Sequence, residues 1–121
     1  MAKNYVQPGR VLDYVNNGSV DIASGDAVAV GPVIGVALNA IPVGAKGPVQ
    51  VEGVFLLPKK TGTAVSQGAA LVFKAASKNF TVGAPASGDV SGATAFAFEA
   101  AAADAAAVMV KLTGVPGTVT A

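Results

Sequence analysis

The sequence lacks cysteine, histidine and tryptophan, and it carries little charge. The absence of cysteine excludes a disulfide framework and a thiolate metal site. The absence of histidine excludes a Ser-His-Asp triad and an imidazole metal site. The glycine and lysine spacing of a phosphate-binding P-loop is missing as well, and the seven Asp and Glu residues do not cluster along the chain. We therefore predict no catalytic residue, no metal, no cofactor and no enzymatic activity.

Charge is both sparse and balanced. Charged residues make up 12% of the chain, with eight Lys and Arg against seven Asp and Glu, whereas about a quarter of a typical domain is charged. Lys59-Lys60 is the only pair of adjacent basic residues, and nucleic-acid binders usually carry a basic stripe. Low charge together with many small apolar residues favours burial of surface in an oligomer or against a partner, although a plain alanine-rich surface is the alternative. We predict no nucleic-acid partner.

No hydrophobic run is long enough to cross a membrane as a helix. The longest uncharged apolar run, residues 27–38, spans about a dozen residues and is broken by Gly31, Pro32 and Gly35, while a spanning helix needs about twenty. The first ten residues lack the apolar core of a signal peptide. We therefore predict no membrane contact and synthesis in the cytoplasm.

Glycine and proline recur every few residues, and the segments between them are short and rich in valine. This pattern is typical of short strands joined by turns. In the segments 49–57 and 108–112 both alternating positions become apolar, so we expect these strands to enter the core with both faces buried. The predicted strands cover residues 5–7, 10–14, 27–30, 33–37, 49–57, 70–73, 79–82, 93–98 and 108–112.

Three local features refine this all-β prediction. The segments 23–28 and 65–71 are similar, each with a polar residue and a glycine before an apolar strand, and they represent either a duplicated hairpin unit or two turns that look alike. Asp26 is interpreted as a turn residue that bonds its own backbone. The alanine-rich segment 99–107 has high helix propensity, but nine residues are marginal for a helix. A compact connection with at most one helical turn is expected there, and a helix is the alternative.

The first nine residues are predicted to be a segment distinct from a single β domain at residues 10–121. Pro8 cannot donate a backbone hydrogen bond and Gly9 bends freely, so the two uncouple the segment from the strand that follows. The segment either adds as an edge strand to the sheet of a neighbouring molecule or forms the first strand of the protein's own barrel. Its candidate contact residues are Lys3, Asn4, Tyr5, Val6 and Gln7.

Lys59 and Lys60 are a second pair of contact candidates, because they follow Pro58 at the end of the most regular strand pattern. They either meet an acidic partner or another subunit, or they belong to a solvated turn. Tyr5 and Tyr14 are the only tyrosines, and they are either interface anchors or core residues.

Several segments, taken in order, resemble the bacteriophage capsid decoration (cement) protein family. The opening residues 2–9 look like the short polar and aromatic start of that family. The sequence SGDAVAVG at residues 24–31 resembles its first turn and strand, and VSQGAALV at 65–72 resembles a later strand entry. The closest match is VEGVFLLPK at residues 51–59. The resemblance extends over nearly the whole chain, with an unusually alanine-rich segment at 99–107.

The resemblance implies a small β-barrel or β-clip-like domain on the outer surface of a phage head. It implies a homotrimer that cements neighbouring subunits of the major capsid protein and stabilises the expanded capsid, in a virion protein made in the host cytoplasm. Some relatives are labelled as predicted recombinases, but the missing P-loop and basic patch argue against that activity. The alternative function is a small β-barrel module that binds glycan or DNA in phage replication or host attachment.

Overall fold

The computed structural model describes residues 9–121, and every regular element in that range is a β-strand. The all-β prediction is therefore confirmed, while the strand predicted at residues 5–7 lies outside the described part of the chain. Two strands have seven residues each and the others are shorter. The strands are β1 (Val11–Val15), β2 (Ala27–Val30), β3 (Val33–Ala37), β4 (Lys46–Gln50), β5 (Glu52–Pro58), β6 (Val72–Lys74), β7 (Asn79–Thr81), β8 (Val90–Ser91), β9 (Ala95–Ala97), β10 (Ala107–Thr113) and β11 (Thr118–Val119).

The first sheet has the strand order β1-β4-β3-β2, and all its pairs are antiparallel. The hairpin of β2 and β3, predicted at these positions, explains the long apolar run in the sequence. On one face, Ala27 and Ile34 belong to the larger core cluster. On the other face, Val28 and Ala37 belong to a second cluster. Both faces are buried, so the hairpin shows none of the alternation with polar residues that a half-exposed sheet shows.

The other two sheets have the strand orders β5-β10-β9 and β11-β8-β6-β7. The sheets of the protein include a curled half-barrel. The inner faces of these two sheets supply most of the larger core cluster. Phe73 and Phe80 pack there with ring centroids 5.1 Å apart, in the range that favours tilted aromatic pairs. β5 and β10 are paired along seven residues each, which makes this pair the longest ladder among the described residues.

The predicted strand at residues 49–57 is in fact two strands, β4 and β5, in two different sheets. Val51 separates them, and its N–H donates a hydrogen bond of 2.8 Å to the carbonyl of Arg10. Gly53 has a φ of 126°, which an L side chain rarely adopts, and the Gln50 amide donates to the Glu52 carbonyl at 2.7 Å. The chain bends here and passes from the first sheet to the second.

The prediction that residues 49–57 and 108–112 are buried on both faces is wrong for β5 and β10. Along β10 the burial alternates, with Val108 and Val110 buried and Met109 exposed. Along β5, Val54 and Leu56 are exposed. These strands lie in a sheet that the described residues cover on one side only, so the apolar residues of the other side face outward.

The two similar segments found in the sequence form the same turn. Gly25 has a φ of 90° and Gly68 has a φ of 83°, as the third residue of a type II turn requires. Each turn is closed by a backbone hydrogen bond of 3.1 Å, Asp26 to Ala23 in the first and Ala69 to Ser66 in the second. The Asp26 carboxylate also accepts from the N–H of Ala23 at 3.0 Å, which confirms its predicted role as a turn residue.

A further turn of this kind, at residues 86–89, was not predicted. Gly88 has a φ of 85°, and the N–H of Asp89 donates to the carbonyl of Ala86 at 3.0 Å. The alanine-rich segment 99–107 contains no helix, as expected. Its Ala101 instead exchanges two backbone hydrogen bonds of 2.9 Å with Val65, so the segment is a compact connection.

Candidate interaction surface

The outward side of the three-stranded sheet is lined by large side chains, of which Leu56 is 67% exposed and Phe98 is 44% exposed. Single exposed apolar residues are normal on protein surfaces, whereas contiguous ones mark interaction sites. The register of the strands makes these residues contiguous. We call this surface the β5–β10–β9 face, and it consists of Val54, Leu56, Phe96, Phe98, Met109 and Lys111.

The first row of the β5–β10–β9 face is entirely apolar. Met109 lies directly opposite Leu56 on the neighbouring strand. On its other side, the Met109 carbonyl accepts a hydrogen bond of 2.8 Å from the N–H of Phe98. Side chains that lie opposite each other on one face of an antiparallel sheet are about 5 Å apart at their Cβ atoms, so these three form a continuous apolar strip.

The second row places a positive charge between two apolar side chains. Lys111 lies opposite Val54 on one side and opposite Phe96 on the other. Its side chain is half-buried, as is that of Phe96. The long methylene stem of a lysine covers apolar surface while its ammonium group stays in water. The row therefore continues the apolar strip and adds one cation to it.

A cleft of 480 Å³ lies at the end of the β5–β10–β9 face. Lys111 belongs to this face and also lines the cleft. Two cationic side chains, Arg10 and Lys111, line the cleft together with one carboxylate, Glu52. Such a cleft is suited to an anionic group, because its basic residues outnumber its acidic one. Its lining comprises Arg10, Gln50, Glu52, Gly53, Lys111, Leu112 and Thr113.

Lys59 does not point into solvent, since only 4% of the residue is exposed. Its ammonium group donates to three backbone carbonyls, at 2.9 Å to Lys60, 3.3 Å to Ala103 and 3.4 Å to Ala105. The side chain thus ties the end of β5 to the alanine-rich connection. The alternative prediction that Lys59 belongs to a solvated turn is wrong, because backbone carbonyls bind its ammonium group inside the fold.

The remaining predicted contact residues are placed as follows. Lys60 is exposed, and as a contact residue it stays a prediction. Tyr14 is half-buried and packs against the smaller core cluster. The arm candidates, Lys3, Asn4, Tyr5, Val6 and Gln7, lie outside the described residues.

One partly buried ion pair supports the sheet that contains β6 and β8. The Lys74 ammonium donates to Oδ2 of Asp89 at 2.9 Å, and the N–H of Ala86 donates to the same oxygen at 2.8 Å. The hydrogen bond from Lys74 and the one from Ala86 lower the pKa of the Asp89 carboxyl below its ordinary value. This pair is structural, since the Asp89 carboxylate also closes the type II turn at residues 86–89.

A second cavity, of 230 Å³, is mostly apolar and is lined by residues of the first sheet and of β6. Tyr14 and Phe73 line it, and Lys78 contributes a cation at its edge. Within residues 9–121, no three acidic side chains come together in a way that would hold a metal ion. The same part of the chain has no helix with the length and apolarity to span a membrane.

Sequence reasoning did not find the β5–β10–β9 face. It assigned Val54 and Leu56 to the core because both alternating positions of that segment are apolar. The same pattern is also a signal for the surface. A chain with so few large apolar residues rarely needs both faces of one strand for its core, so apolar residues at both alternating positions also indicate an exposed apolar face. A strand buried on both faces and a strand with one exposed apolar face share this pattern. They are distinguished only because the described residues cover this sheet on one side.

The chain has no match among curated proteins, and none among solved structures. The phage cement protein family matches residues 6–112, which includes every residue of the β5–β10–β9 face. The chain belongs to the phage cement protein family, and it has a structural role associated with a phage capsid.

Proposed function

We propose that this protein decorates the outside of a phage head, where it holds neighbouring subunits of the major capsid protein together and stabilises the expanded shell. The observation that carries this proposal is the family match over residues 6–112. A contiguous apolar face on a chain of 121 residues supports it, because such a face marks a contact with another macromolecule. The proposed role requires binding and no catalysis.

Repetition makes weak contacts sufficient for this role. A shell presents the same site many times, and a protein with several linked contacts gains effective affinity without any new contact. A homotrimer would supply three such contacts to neighbouring capsid subunits. We therefore include a homotrimer in the proposal, and sedimentation equilibrium should report about three times the 11.7 kDa chain mass. A chain that stays monomeric both in solution and on heads would contradict this part.

The direct test compares heads with and without the protein. Expanded heads purified without it should lose their contents or break at a lower temperature than heads to which the purified protein has been added back. Electron cryo-microscopy of the restored heads should show added density on the outer surface at the junctions between capsid subunits. Heads of equal stability with no added density would refute the proposed function.

A further inference from the structure

The β5–β10–β9 face has the size of a functional patch. β5 and β10 have seven residues each and β9 has three, so at about 3.4 Å per residue and about 4.8 Å between strands this side of the sheet covers roughly 300 Å². The largest apolar patch on a monomeric protein is about 300–600 Å² and is often functional. The face also continues at the edge of β9, where Phe96 borders a hollow formed by Gly68, Ala70, Gly92, Ala93 and Ala95.

The area of the β5–β10–β9 face distinguishes between two candidate occupants, a second copy of the chain and a subunit of the capsid. A stable pair of proteins buries about 800 Å² on each partner, which is more than twice what this face offers, so the face alone does not hold two copies together. A twofold pairing would also bury the Lys111 ammonium groups of both copies in one small contact, and like charges oppose such a pairing. A small contact that is repeated over a shell does not need this area at each site, because the linked contacts add to the effective affinity.

The charge of the adjoining cleft indicates the chemistry of the occupant. Arg10 and Lys111 face a space in which Glu52 is the one lining carboxylate. Neither cation has an ion pair among the salt bridges found between described residues. A carboxylate from a partner would therefore gain two cationic neighbours without displacing an existing ion pair.

Taking the proposed capsid function as its basis, we propose that the β5–β10–β9 face docks on a segment of the major capsid protein that combines apolar side chains with a carboxylate. The apolar side chains cover Leu56, Met109 and Phe98, and the carboxylate enters the cleft beside Arg10 and Lys111. Arg10 directly follows the N-terminal segment at residues 1–9. One residue of the cleft therefore adjoins the proposed arm along the chain.

The test measures binding of the purified full-length protein to expanded heads of its phage that lack it. Leu56→Asp should bind about tenfold more weakly or worse, because one buried leucine side chain accounts for at least that factor. Val20→Asp is the matched control, since Val20 is 65% exposed and Leu56 is 67% exposed, but Val20 lies outside this face. Val20→Asp should bind like the wild type. Circular dichroism and sedimentation equilibrium on each variant establish its fold and its oligomeric state.

Charge variants test the cleft independently and keep the proposal falsifiable if Leu56→Asp does not fold. Lys111→Glu should lose binding, and Lys111→Met should retain part of it. Raising NaCl from about 50 mM to about 500 mM should weaken the wild type more than Lys111→Met, because salt screens exposed charges. Equal salt dependence of the two proteins, or full binding by Lys111→Glu, would overturn the proposal.

The remaining outcomes separate this proposal from the proposed function. If the wild type binds heads and a folded Leu56→Asp binds equally well, the face is not the docking surface, while the capsid function stands. If Leu56→Asp changes the oligomeric state and Val20→Asp does not, the face lies between copies of the chain and the proposal is wrong. If the wild type itself does not bind heads, the capsid function fails and this inference fails with it.

Discussion

The hydroxyl oxygen of Thr94 accepts a hydrogen bond of 3.0 Å from the backbone N–H of Ile34, which lies sixty positions earlier in the chain. Both residues are completely buried. The carbonyl of Thr94 also accepts from the N–H of Thr113 at 3.1 Å. One threonine therefore joins β3 of the first sheet to β10 of the second, at a place where no strand ladder connects them.

Replacing Thr94 by valine should destabilise the protein, because valine has nearly the same shape but cannot accept the Ile34 hydrogen bond. A buried N–H without a partner costs about 1–3 kcal/mol. The free energy of unfolding from urea denaturation measures the loss. Thr94→Ser keeps the hydroxyl and removes only a methyl group, so it should be the more stable of the two variants. The reverse order would show that the methyl group matters more than the hydrogen bond.

Replacing Lys59 by methionine should loosen the alanine-rich connection, since three backbone carbonyls lose the hydrogen bond from the ammonium group. Hydrogen bonds to charged groups contribute about 1.5–3 kcal/mol each to stability in mutational series. Only the bond to Lys60 is short, at 2.9 Å, so we expect a total loss of about the size of one such bond. Hydrogen exchange should show the loss of protection near Ala103 and Ala105.

Lys60→Met is the matched control for that variant, because Lys60 is the adjacent lysine and is exposed. Its stability should stay within about 0.5 kcal/mol of the wild type, as is usual for surface substitutions. Equal stability of the two methionine variants would contradict the structural role of Lys59.

Stability should fall in acid through Asp89. Its pKa is lowered in the folded protein by the hydrogen bonds from Lys74 and Ala86, so the folded state favours the charged carboxylate. The contribution is complete above the unfolded pKa of about 3.9 and is lost as the pH falls through the lower folded value. Urea denaturation between about pH 2 and pH 6 should show this decrease in the wild type, and a smaller one in Asp89→Asn. Identical pH profiles would refute the assignment.

Much of the fold was predictable because its signals are local. Gly31 and Pro32 separate two valine-rich segments, and these form the hairpin of β2 and β3 with the predicted bounds. The nine residues at 99–107 favour helix by propensity alone, but they form no helix because Val65 and Lys59 hold the backbone of this segment through long-range hydrogen bonds. That outcome follows from length, since an isolated helix of nine residues is marginal.

The interaction surface was not predictable, because it depends on which side of a sheet is covered. The sequence at β5 is apolar at both alternating positions, and this pattern fits a strand buried on both faces as well as one with an exposed apolar face. The burial of Lys59 is non-local in the same way. Its carbonyl partners Ala103 and Ala105 follow it by 44 and 46 positions. An alanine-rich sequence does not indicate that its backbone carbonyls bind a lysine side chain.

A variant that lacks residues 2–7 tests the N-terminal segment. β1 pairs with β4 along all five of its residues, and the carbonyl of Arg10 already accepts a hydrogen bond from Val51. The described pairing of β1 with β4 therefore begins at Val11 and does not involve residues 2–7. We expect the variant to keep the melting temperature of the wild type and to lose binding to expanded heads, because strand addition by this segment would supply part of the affinity.

Two other results would each contradict that expectation in a different way. If the segment is instead a strand of the protein's own barrel, the variant should melt several degrees lower, because about 1 kcal/mol shifts the midpoint of a domain of this size by roughly 4 °C. If the variant folds normally and decorates heads at full occupancy, residues 2–7 take no part in docking. In that case Leu56→Asp, made in the same shortened chain, should again weaken binding about tenfold or more, since the β5–β10–β9 face would carry the contact alone.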